Sequence, residues 1–495
     1  MSNMSQTLRL LLAGAFALLA HGPARAQTGA VLSGRVARPT ADSVLVSWHA
    51  QPLDPREQTV GARLNRRGEF RLVVPVAGAT LAALRYGEAE TPLFLEPGDA
   101  LELKFKGKDL GASLKFQSAD GAAHRPAAAA NSYLAAAETA FGNNEAFQVL
   151  PDNVALYETP FIAFLKYRRE QQLQLLARAG GPAAFTPAFA AVAQAEIDYL
   201  YANDRLTYAD LREQVVGTEA RLQLTPAYYD FLRAPGLVPG PETAPGSEQY
   251  QEFLLNYVHH RVRAAGHLPT DPAYYPACYQ LAARTFRGPL RPLLLGRVLL
   301  ETFRFGHVAH ARALLADYAA TAQAPPAWLD YLRRDLAAHQ ALAIGAPAPP
   351  LPLRTPEGGP LRLAGYAGRL VYVMFWDSRV PQSQRELPYL QSLLKEFAGK
   401  PIVFVSAAFN EGAASRLPLG RTRGRVAPAY VPPPARAQVR QAYGIASLPA
   451  FVLLAEDGTV LDPNPKRLSS HALAHDLRAA FGRAAAYRAV SLRPK

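Results

Sequence analysis

Twice along its 495 residues this chain changes the spacing of its apolar side chains, and each spacing commits a region to one kind of structure. Over residues 31–107 the period is two, so alternate side chains must face opposite sides of a sheet. Residues 43–48, 69–74 and 100–105 read as strands, separated by turn signals at Asn65-Arg66-Arg67-Gly68 and Glu96-Pro97-Gly98-Asp99. Several short strands at this interval predict a small antiparallel β-sandwich. Over 126–342 the spacing becomes helical. Phe161, Phe164 and Leu165 lead into Leu173, Leu175 and Leu176, and Tyr250, Phe253, Leu254 and Tyr257 form an i, i+3, i+4, i+7 stripe. Such stripes are core packing, no cofactor is assigned to them, and without a fixed repeat length a regular solenoid is not supported. Pro347, Pro349, Pro350 and Pro352 mark the last boundary. After them apolar strands (370–375, 402–406, 450–454) alternate with helical stretches (387–397, 472–481), an order that implies a sheet covered by helices.

The first residues bear on the compartment. Arg9 precedes an apolar run at 10–20, followed by Ala24-Arg25-Ala26, the pattern of a signal-peptide core and a small-x-small cleavage site. The run is too short for a stable membrane anchor. The expectation is export to the periplasm or cell envelope, with a mature chain starting near Gln27. No cysteine follows the cleavage site to carry a lipid, and no later run is long enough to cross a membrane.

In an oxidising compartment the cysteine count is informative. The one cysteine, Cys278, can form no internal disulfide, and a four-cysteine zinc site is excluded. Its setting, Tyr274-Tyr275-Pro276-Ala277-Cys278-Tyr279, favours a buried, inert thiol. The net charge of +13 comes mainly from arginines spread along the chain without stacking aromatics, so no nucleic-acid partner is expected. The densest group, Arg416, Arg421, Arg423 and Arg425, reads as a solvated loop.

The last region carries a family resemblance. Ile344-Gly345-Ala346-Pro347-Ala348-Pro349 is similar to the opening segment of periplasmic thiol–disulfide reductases of the TlpA/ResA group, which have a thioredoxin-like fold. In that group a strand ends in Phe-Trp and a C-x-x-C motif opens the next helix. Here Phe375-Trp376 is followed by Asp377-Ser378-Arg379-Val380-Pro381-Gln382-Ser383, and Glu386-Leu387-Pro388 fits the group's helix. On that register Val380 and Ser383 stand where the cysteines would be, and Arg379 replaces a tryptophan. Tyr443 to Leu454 resembles the cis-proline loop and its following strand, which implies a cis Pro449. Upstream, Gly68-Glu69-Phe70 and Pro92 to Asp99 look like the N-terminal β-domain that precedes many secreted thioredoxin-like proteins.

The resemblance implies a layout of signal peptide (1–26), β-sandwich (27–118), α-helical region (119–342), thioredoxin-like α/β domain (343–485) and C-terminal tail (486–495). It also removes the group's chemistry. A reductase needs a thiolate to attack and a second thiol to resolve the mixed disulfide, and Val380 offers no nucleophile. Ser383 has no base beside it in sequence; its expected role is to satisfy a backbone N–H near the helix start, where Pro381 suits the first turn. Arg379, Val380, Pro381, Gln382 and Ser383 are therefore a degenerate active site.

Two functions stand open. The leading one is a non-enzymatic envelope protein that holds an extended polypeptide or another envelope protein, with Leu448, Pro449 and Trp376 as docking candidates. Pro449 serving only to maintain the fold is its bland counterpart. The alternative is an enzyme with a repurposed site around Ser383, Glu386 and Arg379. No cofactor and no metal are expected: His471 and His475 lie at i, i+4 but form an incomplete shell, and no phosphate loop or G-x-S-x-G element is present.

Overall fold

The computed structural model describes residues 29–119, 121, 125–142, 144–216, 224–233, 246–410 and 425–491, with no side-chain description for Pro182 or beyond residue 481. The expected signal peptide and Arg416, Arg421 and Arg423 lie outside these residues. The described chain is multidomain, with three β-sheets and many helices, and it divides into two compact units.

Among the described residues, the first unit takes those within 29–208, 224–266 and 281–295. It holds β1 (Ala30–Ala37), β2 (Ser43–His49), β3 (Glu57–Arg63), β4 (Glu69–Val74), β5 (Thr80–Tyr86), β6 (Ala89–Leu95), β7 (Ala100–Lys106) and β8 (Lys115–Ser118). They form two four-stranded sheets, β4-β1-β7-β8 and β3-β2-β5-β6. Inward residues of both, among them Leu32, Leu72 and Leu103 from one and Val46, Leu84 and Leu93 from the other, make a single apolar core.

The expected all-antiparallel sandwich is corrected in one place: β1 and β7 run parallel, from Val31↔Ala100 to Ala37↔Lys106. The chain crosses to the other sheet and back between them, so hairpin geometry does not dictate their relative direction. Gly34 lies on this seam, where an added Cβ would sit 2.1 Å from the Leu103 carbonyl oxygen. At the predicted turn Gly68 takes φ +73°, and the Asn65 side-chain oxygen accepts from the N–H groups of Arg67 and Glu69.

The helix Arg125–Ala137 is tied to β6 through Asn131, which accepts from the Phe94 N–H at 2.8 Å and donates to the Phe94 carbonyl at 2.9 Å. The predicted stripes do bury: Phe161, Leu165, Tyr250, Phe253 and Leu254 are inaccessible to solvent.

Among the described residues, the second unit takes those within 209–216, 267–280 and 296–491. Its seven strands are β9 (Leu353–Arg354), β10 (Pro360–Leu361), β11 (Leu370–Trp376), β12 (Ile402–Ala408), β13 (Val426–Tyr430), β14 (Ala450–Leu454) and β15 (Val460–Asp462), in the order β10-β9-β13-β12-β11-β14-β15. The β11–β12 and β12–β13 pairs are parallel and β14 is antiparallel to β11, as β–α–β connections and a closing hairpin require. Every residue of β11 and β12 is buried. Their unbroken apolar runs follow from a sheet covered on both faces: Tyr372, Met374 and Trp376 face one core, and Val371, Val373 and Phe375 the other. The last helix runs Ala472–Ser491, past the boundary expected at 485.

Strand β13 is absent from the sequence reading because Pro428 interrupts it. The strand tolerates that proline because on its outer side β9 reaches it only at Tyr430↔Arg354. The opening segment is pinned to the β14–β15 hairpin by the Gly345 N–H donating to the Val460 carbonyl at 2.8 Å and the Val460 N–H to the Ala346 carbonyl at 2.8 Å.

Candidate functional site

The site lies where β11 ends and the helix Pro381–Glu396 begins, beside the loop that enters β14. Val380 occupies the N-cap position without a side-chain hydrogen bond, and Pro381 opens the first turn, where its missing N–H is harmless. The turn before the helix is closed by local bonds. The Val380 N–H donates to the Asp377 carbonyl at 3.0 Å, Gln384 Nε2 donates to the Ser378 carbonyl, and Asn410 Nδ2 donates to Ser378 Oγ at 2.7 Å.

Asp377 is buried and grips Arg379 three times: it accepts from the Arg379 N–H at 2.9 Å, from Nε at 3.0 Å and from Nη2 at 2.6 Å. The Arg379 hydrogen bond holds the Asp377 carboxyl below its ordinary value, against a smaller opposing effect of burial, and the charge of Arg436 acts in the same direction. Ser383 has 0% exposure, and its Oγ accepts the Asp377 N–H at 3.4 Å. The expected backbone-satisfying role of Ser383 is met by an N–H outside its own helix.

Glu386, one turn further on, is also buried. It accepts from the Ser469 N–H at 2.8 Å and the Ser469 hydroxyl at 2.9 Å. Nearby Tyr372 donates to the Lys466 carbonyl at 2.6 Å; burial first, and then the negative charge of Glu386, push its hydroxyl well above the ordinary tyrosine value.

Ser383 and Arg379 thus meet through Asp377, one at its N–H and the other at its carboxylate, while Glu386 stands apart from both. Ser383 faces the backbone of Asp377, Glu386 faces Ser469, and the Arg379 side chain is 75% exposed while bound to Asp377. A serine nucleophile needs a base within hydrogen-bond reach, and the group that bonds Ser383 Oγ is the Asp377 N–H, which is no base.

Trp376, expected as a docking residue, is only 2% exposed. Its Nε1 donates to Ser406 Oγ at 2.7 Å and its carbonyl accepts the Phe409 N–H at 2.7 Å. That expectation is corrected: the tryptophan completes a fully buried central strand and presents no surface. Leu448 and Pro449 are half-buried, the Leu448 side chain resting on the core, and the Leu448–Pro449 peptide is cis. Among the described residues no hydrogen bond engages the backbone of Leu448.

A cleft of about 760 Å³ lies elsewhere in the unit, lined by residues such as Pro349, Leu351, Leu361, Tyr366 and Pro434, and including none of Trp376, Arg379 to Ser383, Leu448 or Pro449. Sequence reasoning missed it, because its walls come from segments with no chemical motif. The prolines that marked a boundary are its one sequence signal. His471 and His475 are both exposed, and among the described residues no group of three or more His, Cys, Asp or Glu side chains is placed to hold a metal ion. No described helix is long and apolar enough to cross a membrane.

No family profile matches the chain. Among curated proteins it is similar to thiol-disulfide oxidoreductase ResA of Geobacillus thermodenitrificans, 28% identical over 120 residues, covering 24% of this chain and 68% of the relative. ResA of Geobacillus kaustophilus is 27% identical over the same extent. Among solved structures, the thioredoxin domain of a thiol-disulfide oxidoreductase from Bacteroides vulgatus matches at 19% identity with TM-score 0.24, covering 28% of this chain and 97% of that one. A thiol:disulfide interchange protein from Bacteroides sp. matches at 18% identity with TM-score 0.25, covering 28% and 90%. The ResA relatives support kinship with thioredoxin-like thiol-disulfide oxidoreductases for that part of the chain.

Proposed function

We propose that residues 343–485 are a thioredoxin-like domain that performs no dithiol–disulfide exchange, and that the chain is an exported binding or scaffold protein of the cell envelope. The observation that carries the first half is the placement of Val380 and Ser383 at the opening of the helix after β11, with the one cysteine of the chain, Cys278, fully buried in another segment. Thiol exchange requires an accessible thiolate and a second thiol, and this chain carries neither at that position. Export rests on the apolar run at 10–20 and Ala24-Arg25-Ala26.

Binding of an extended polypeptide at the loop before β14 is favoured by the Leu448 backbone, whose polar groups make no hydrogen bond among the described residues. An incoming chain satisfies such groups by pairing as an added strand. Two measurements test the proposal. Purified full-length protein should reduce insulin no faster than buffer in the presence of dithiothreitol; dithiol-dependent turnover above that background overturns it. A pull-down from the native envelope should recover a partner with wild type that Leu448→Asp loses.

A further inference from the structure

We infer that the polypeptide held at the Leu448 loop is acidic, because Arg440 is bonded to that loop at Ile445 and Arg379 extends, largely exposed, from the turn after β11, the strand whose Phe375 pairs with Ala450 at the end of the loop. This rests on the docking reading above and names the partner's chemistry. The loop leaves the helix Arg436–Ala442, and that helix is stitched to it: the Ile445 N–H donates to the Arg440 carbonyl at 2.8 Å, and Arg440 Nη1 donates to the Ile445 carbonyl at 3.3 Å. The Arg440 guanidinium also lies 4.9 Å from the centre of the Phe409 ring, and the Phe409 N–H is bonded to the Trp376 carbonyl, one residue before Asp377. Arg436, one turn earlier on the same helix, anchors through Nε to the Val431 carbonyl at 3.3 Å and is near enough to act on the charge of Asp377. Arg379 binds that carboxylate directly, from two residues along the turn after β11.

Asp377 is bound by Arg379, and among the described residues neither Arg436 nor Arg440 is paired with a carboxylate. Arg436 and Arg440 therefore carry positive charge with no carboxylate paired to either among the described residues. Both helix arginines are half-exposed, with carbonyl and ring contacts that fix their stems while leaving the net charge uncompensated. A strand added at Leu448 would project alternate side chains along this rim, where carboxylates supply the missing partners.

The test uses full-length protein and short fluorescein-labelled peptides of alternating Thr and Glu, Thr and Gln, or Thr and Lys, read by fluorescence polarisation. The Thr–Glu peptide should bind best, and Arg436→Gln/Arg440→Gln should weaken it about tenfold, as should raising the salt several-fold. Arg333→Gln, a charge loss on the remote helix Pro326–His339, should leave binding unchanged. If the double variant does not fold, Arg379→Gln takes its place, its side chain being largely solvated. Equal binding of the Thr–Gln and Thr–Glu peptides, insensitive to the arginines but lost in Leu448→Asp, overturns the acidic assignment and leaves the docking site standing. Failure of all three peptides overturns the docking reading itself. Arginine-dependent binding to phosphatidylglycerol vesicles without binding to the Thr–Glu peptide overturns the polypeptide assignment.

Discussion

Both carboxylate oxygens of Glu386 are held by one residue: the Ser469 N–H donates to Oε2 at 2.8 Å and the Ser469 hydroxyl to Oε1 at 2.9 Å. The pair ties the helix after β11 to the segment that leads into the last helix. With Glu386 only 4% exposed, a lost donor is not replaced by bulk water. Ser469→Ala should therefore destabilise the protein by about 1–3 kcal/mol in urea denaturation, with no change in any binding assay at the Leu448 loop. A cost indistinguishable from zero would mean that the carboxylate is solvated in solution.

The Asp377–Arg379 contact predicts a pH dependence. A carboxyl held below its ordinary value binds fewer protons folded than unfolded, so its stabilising contribution is present above the unfolded value, near 3.8, and is lost as pH falls through the folded one. The stability difference between wild type and Arg379→Gln should be constant near neutrality and shrink on acidification below about pH 4. Denaturation curves for both proteins over that range check it.

Glu196 is the opposite case. Burial raises its carboxyl above the ordinary value, against the hydrogen bonds it accepts from Ser247 Oγ at 2.8 Å, the Glu248 N–H at 2.7 Å and the Gln249 N–H at 3.2 Å. Two of these donors are first-turn N–H groups of the helix Glu248–Ala264, so Glu196 satisfies them beside the N-cap Ser247. The folded state binds the proton more tightly than the unfolded one, so this group's contribution falls as pH rises from about 4.5 upward. Glu196→Gln, which keeps an acceptor, should flatten that slope. Glu196→Ala, which strands three donors, should destabilise by about 2–3 kcal/mol in the same denaturation assay.

Cys278 has 0% exposure. A thiol reagent such as Ellman's should react with the native protein only at its rate of unfolding, and with one equivalent at once in denaturant. Fast labelling of native protein would contradict the buried placement and weaken the case against thiol chemistry.

Gly34 offers a purely steric test. With the Leu103 carbonyl 2.1 Å from an added Cβ, Gly34→Ala must push the parallel β1–β7 seam apart. A loss of about 1–3 kcal/mol is expected, read as a lowered thermal midpoint.

Much of the second unit was legible because its strands are buried on both faces. The apolar runs at 370–375, 402–406 and 450–454 match β11, β12 and β14 nearly residue for residue, since a central strand has no solvent side to break the pattern. β13 was not legible: a proline in a strand interior argues against the strand, and only its sparsely paired outer side makes Pro428 acceptable. The direction of β1 against β7 was likewise hidden, because strand periodicity is the same for either direction.

At the site, the sequence alone determined which residue types stand after β11. One cysteine, and Val380 and Ser383 after Phe375-Trp376, are facts of composition and order that no folding alters. Tertiary structure decided which remaining groups meet. It separated Glu386 from Ser383 and Arg379, although all three lie within eight positions, because helix and turn geometry aim Glu386 at Ser469 and the other two at Asp377. It buried Trp376, and it set Arg436, far along the chain, where its charge acts on the carboxylate that Arg379 binds. Residue type sets what a side chain can do, but distance and desolvation set whether it does it, and both are properties of the packed chain.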